Sequence, residues 1–147
     1  MSAAAHRGGA AVGHLADLPA LEASAVHCLR LWSDAVEGRA ALPEGRSAEL
    51  LRQICGLCAS YGRRPLMRHG LGCACLGADE ACFAHMVAAA ATGAREDALM
   101  LAALIVRPDL APALVALSEQ LGLALHRRPM ATTAQSRTLE SRAGRLH

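Results

Sequence analysis

Lysine is absent from this chain, and aromatic residues are almost absent: Trp32, Tyr61 and Phe83 are the whole set among 147 residues. So few rings exclude the stacking platforms on which single-stranded nucleic acid is bound. Valine and isoleucine are sparse as well, so the β-branched and aromatic composition of strands is missing. Charge of either sign is nearly balanced, at net +2, which gives no field for a polyanionic partner. Nucleic acid is therefore not expected as a partner. No apolar run reaches the length of a membrane span; the stretch from Ala98 to Val106 is long enough only for a buried helix. The N-terminal stretch, Met1 to Gly13, is rich in alanine and glycine and lacks the strong hydrophobes of a signal peptide. A cytoplasmic location and no membrane association are the expectations.

What the chain does have is alanine and leucine, which carry most of a 53% hydrophobic content. Alanine is the best helix former. With arginine supplying every basic residue, the composition also bears the codon bias of a GC-rich genome. The expected fold is all-α: a single compact bundle of five helices, with a long cysteine-containing loop between helices 2 and 3. A disordered N-terminal segment (1–16), a helical domain (17–126) and a polar flexible tail (127–147) make up the expected organisation.

The helices follow from periodicity and punctuation. The first is expected from Asp17, as N-cap, to Gly38, with Leu18, Leu21, Ala25, Cys28, Leu29, Trp32 and Val36 at helical spacing. The second opens at Ser47 and stops at Gly62. The third starts near Asp79 and runs to Gly93; the fourth ends at Val106, before Pro108. The fifth has Asp109 as N-cap and a stripe of Leu110, Leu114, Leu117, Leu121 and Leu125. No strand is expected.

Five of the six cysteines lie between Cys55 and Cys82. Cys55 and Cys58 form C-x-x-C late in helix 2, one turn apart on one face. Cys73 and Cys75 form C-x-C in the glycine-bearing loop, and Cys82 and His85 form C-x-x-H early in helix 3; His69 precedes the loop pair by four residues. Tetrahedral zinc takes four such donors, commonly as two short-spaced pairs, and an iron–sulfur cluster uses the same thiolates. Two ligand groupings fit: Cys55, Cys58, Cys73 and Cys75, with Cys82 as substitute; or Cys73, Cys75, Cys82 and His85, with His69 as substitute.

Core packing accounts equally well for Cys55, Cys58 and Cys82, since free cysteine behaves as a small hydrophobe. It does not account for Cys73 and Cys75, which have no helical periodicity around them. Cys28 is assigned to the core. A redox disulfide ranks third, because the dipole at the end of helix 2 opposes thiolate formation at Cys55 and Cys58.

Arg63, Arg64, Arg68 and His69 read as a solvated basic loop, and Asp79–Glu80 as a helix-opening pair that suits the macrodipole. An enzymatic use of the cluster would need a base, for which Glu80 is the candidate. The leading expectation is a helical metal-binding protein, with zinc ahead of iron–sulfur, acting as a regulatory or interaction module. The alternative is a metal-free helical adaptor that uses its Ala/Leu surfaces to bind an unidentified protein partner or a second copy of itself.

Overall fold

A computed structural model describes residues 7–41 and 43–127. Five α-helices dominate the described residues: α1 (Ala20–Val36), α2 (Arg46–Tyr61), α3 (Ala78–Ala91), α4 (Arg95–Ile105) and α5 (Ala111–Arg127). The expected all-α bundle is thus the architecture present. No helix among the described residues is long and apolar enough to cross a membrane. Of the expected tail, residues 128–147 lie outside the description, as do residues 1–6 of the expected N-terminal segment.

Helix α3 sits at the centre, packed against α1, α4 and α5. Its sequence requires that place: Phe83, Ala84, Met86, Val87 and Ala90 are all buried, so the helix is apolar around most of its circumference and needs neighbours on several sides. Gly93, at φ +84°, turns the chain into α4, because only glycine takes this backbone region without a steric penalty. That tight link makes α3 and α4 the helical hairpin which their short connection implies.

Helix α5 crosses α3 at unusually close range. A Cβ placed on Gly122 would lie 2.6 Å from the Ala91 Cβ and 3.1 Å from the Val87 carbonyl oxygen. Gly122→Ala gains about 1 kcal/mol in helix propensity, yet overpacking at a backbone contact costs on the order of 1–3 kcal/mol. A net loss is expected, read as a lower urea midpoint with an unchanged m-value.

Three boundaries differ from the sequence expectation. Asp17 does not cap α1; it closes a short 3₁₀ turn (Leu15–Asp17), and α1 begins after Pro19. Asp109 likewise sits in a 3₁₀ turn (Pro108–Leu110) that leads into α5. The third difference matters for the site. Residues 7–16, expected to be disordered, contain a strand β1 (Ala11–His14), which pairs antiparallel with β2 (Cys75–Gly77) in the loop that precedes α3.

Strand propensity does not explain this small sheet: every residue of β1 is exposed, and Gly13 interrupts it. The loop supplies the partners. The Leu15 N–H donates to the Ala74 carbonyl at 2.8 Å and the Ala78 N–H to the Ala10 carbonyl at 2.9 Å. The segment is ordered by docking on structure that only the tertiary fold creates, and sequence periodicity carries no trace of that.

Candidate functional site

The loop between α2 and α3 contains Cys73 and Cys75, and its anchor is an arginine on α1. Arg30 is completely buried, and so is its partner Glu80. Its Nε donates to Glu80 Oε2 at 2.6 Å and its Nη2 to Glu80 Oε1 at 2.9 Å, a bidentate fork. The outer edge of the same guanidinium reaches the loop backbone: Nη1 donates to the Cys73 carbonyl and Nη2 to the Cys75 carbonyl, both at 2.7 Å. One planar cation thereby ties α1, the loop and the start of α3 together.

Glu80 is saturated in return. It caps α3 by accepting the Gly77 N–H at 3.0 Å, as a carboxylate three residues into a helix can. Burial pushes its carboxyl up, but the Arg30 hydrogen bonds, the Gly77 and His69 backbone donors and the Arg30 charge together hold it below the ordinary value. The Arg30 cation is favoured first by its hydrogen bond to Glu80, and in smaller part by the charges of Glu80, Cys73 and Cys75. Glu80 is therefore a structural counter-ion and no free base.

Two further arginines secure the loop. Arg64 forms a bidentate pair with Asp79, at 2.6 Å on both arms, and Asp79 also accepts the Met67 N–H at 2.7 Å. Arg68 reaches Asp34 at 3.1 Å and Glu37 at 2.9 Å, at the end of α1. Arg64 and Arg68 are paired and partly buried, so the expected solvated basic loop is corrected for both. Only Arg63 is exposed as expected, and it donates to the Ala103 carbonyl at 2.6 Å. The reason is topological: the acidic partners lie on α1 and α3, remote in sequence from the loop. Asp79 and Glu80 are accordingly buried ion-pair partners rather than simple dipole residues.

The candidate metal ligands are spread across different surroundings. Cys55 and Cys58 are half-buried on α2; burial and the neighbouring Cys58 push the Cys55 thiol up to about 12, and burial pushes Cys58 up to about 11. Cys82 turns its sulfur toward the Leu101 carbonyl of α4, at 3.7 Å, and burial raises its thiol also. His85 is exposed on α3. Cys28 is fully buried in α1, as expected, and burial pushes it up to about 12.

Cys73, Cys75 and His69 all belong to the segment between α2 and α3. Among the described residues, no three or more His, Cys, Asp or Glu side chains gather as a metal site requires. The cation that organises the loop is the Arg30 guanidinium.

Within the loop, His69 and Cys73 form a pair, with Nδ1 and Sγ 3.8 Å apart. The other ring nitrogen, Nε2, lies 3.0 Å from the Gly9 carbonyl oxygen, just before β1. A carbonyl can only accept, so Nε2 carries a proton; the tautomer this selects leaves Nδ1, the nitrogen that faces the thiol, as the ring's acceptor. Gly77 makes room for this ring, since a Cβ there would come within 2.9 Å of His69 Cδ2. The sequence provides two signals for the pair, the four-residue spacing and the glycines. Nothing in it identifies Arg30, a charged residue inside an otherwise apolar helical stretch, as the loop's anchor.

Comparison with protein-family models, with curated proteins and with solved structures finds no match to this chain.

Proposed function

We propose that this protein is a helical regulatory or interaction module that works through reversible covalent chemistry at one thiol, Cys73, with His69 positioned to accept its proton. The observation that carries this reading is the relay from the Gly9 carbonyl through the His69 ring to Cys73 Sγ. A nucleophile, a base within reach and a third group that orients the base are the parts such chemistry needs. The 3.8 Å separation is long for a hydrogen bond, as resting thiol–imidazole pairs often are. Cys73 is half-buried between the exposed residues Gly72 and Ala74, so a small electrophile has a path to it. Burial instead pushes the Cys28, Cys55 and Cys58 thiols up, to about 12, 12 and 11.

The test is competitive alkylation of the reduced, folded chain with less than one equivalent of iodoacetamide, followed by peptide mapping and metal analysis of the same sample. Cys73 is expected to be labelled first, and His69→Asn to slow its labelling by about tenfold or more. Equal labelling of Cys73 and Cys55 would overturn the reading. One equivalent of zinc with Cys73 protected from alkylation would overturn it in favour of a metal-binding module.

A further inference from the structure

We infer that a hydroperoxide oxidises Cys73, that Cys75 closes a disulfide with it, and that this closure releases the N-terminal strand from the body of the protein. The inference rests on the thiol reading above and adds the co-reactant and the consequence. The Cys73 thiol gives its proton to His69 Nδ1, and its sulfur attacks the outer oxygen of the hydroperoxide. The O–O bond breaks, a sulfenic acid forms on Cys73, and the hydroperoxide leaves as an alcohol, or as water when the oxidant is hydrogen peroxide. The Cys75 sulfur then displaces hydroxide from the sulfenic sulfur, and with the Cys75 proton this leaves as water. Two thiols are oxidised by two electrons and one peroxide is reduced by two.

The mechanical consequence follows from what holds residues 9–15. The Leu15 N–H on the Ala74 carbonyl and His14 opposite Cys75 hold them to the segment that must move. Gly13, Ala11 and the Ala10 carbonyl face Leu76, Gly77 and the Ala78 N–H just beyond, the Gly9 carbonyl meets His69, and the Leu15 side chain packs against the core. In the reduced state the Cys73 and Cys75 carbonyls reach adjacent nitrogens of Arg30. Carbonyls two residues apart point the same way in an extended segment. Two residues of extended chain span about 6.6–6.8 Å, whereas bridged cysteines have Cα atoms mostly about 5.5–6 Å apart. Closing the disulfide therefore curls the chain around Ala74. The Ala74 carbonyl turns away from Leu15, Cys75 leaves its register with His14, and at least one Arg30 contact breaks. A strand of four exposed residues has no burial of its own to hold it in place afterwards.

The experiment treats the full reduced chain with hydrogen peroxide at stoichiometric ratio and follows peptide mapping together with amide hydrogen exchange. Expected are a Cys73–Cys75 disulfide and a rise of about tenfold or more in exchange over residues 11–15, reversed by dithiothreitol, while α5 keeps its protection. Cys75→Ser should retain fast Cys73 alkylation and show no release on oxidation. A Cys73–Cys75 disulfide with residues 11–15 still protected overturns the release, and a sulfenic or sulfinic Cys73 with no disulfide overturns the closure. Either result leaves the preferential alkylation of Cys73 standing, whereas failure of that alkylation removes the thiol reading itself.

Discussion

Arg30→Met is expected to remove about 3–5 kcal/mol of folding stability, because it leaves a buried carboxylate without its partner. That is a large share of the roughly 5–15 kcal/mol that a domain has. Arg30 and Glu80 are each completely buried, and the substitution also strips the Cys73 and Cys75 carbonyls of their donors. Arg30→Lys should be only partly better, since an ammonium retains the charge but cannot span the four acceptors of the fork. Glu80→Leu combined with Arg30→Met should be less damaging than either single change, as expected when a buried pair is removed whole.

Urea denaturation of the wild type, the three single variants and the double variant measures this. A single-variant loss below about 1 kcal/mol would mean that water or rearrangement satisfies Glu80. The same comparison has a pH signature. Glu80 lies below its ordinary value of 4.5 in the folded state, so its contribution is complete above that value and is lost as pH falls through the lower folded value. The stability gap between wild type and Arg30→Met should therefore narrow as the solution is acidified below about pH 4.5.

Phe83→Ala should cost about 3–5 kcal/mol, the usual range for a large aromatic removed from a packed core. Phe83 is the chain's single phenylalanine; it is fully buried on α3 and belongs to a core otherwise built of Ala, Leu, Val, Ile, Met and Cys. Small alanine-rich neighbours have few rotamers with which to collapse into the space. The cost should therefore lie toward the upper end, and Phe83→Leu should recover most of it. Thermal denaturation by circular dichroism reads both changes, with the helical signal kept at low temperature. A loss under about 1 kcal/mol would show that α3 repacks freely and is no rigid centre.

The helices were legible because each carries its own information. Helix α2 stops at Gly62 and α4 before Pro108, as read from glycine and proline alone. The core stripes at Ala25, Cys28 and Leu29, and at Leu114, Leu121 and Leu125, are buried as helical periodicity requires. Val36 and Tyr61 carry the same periodicity but are exposed, and the Tyr61 ring faces the Arg107 guanidinium, 5.4 Å from its centroid, instead of the core. Periodicity says which residues share a face; it does not say whether anything covers that face.

The site divides along the same line. The sequence by itself determined an all-α bundle, a loop before α3 that packing alone could not explain, and the short spacings among its cysteines and histidines. Tertiary structure alone decided that a guanidinium from α1 ties the loop, that residues 9–15 lie across it, and that His69 turns Nδ1 toward Cys73. Those outcomes depend on hydrogen bonds between residues fifty or sixty positions apart, Arg30 with Glu80 and His69 with Gly9. Local propensity and spacing are short-range quantities, whereas the pairing of a buried charge is settled only when the helices have packed and one partner alone remains within reach.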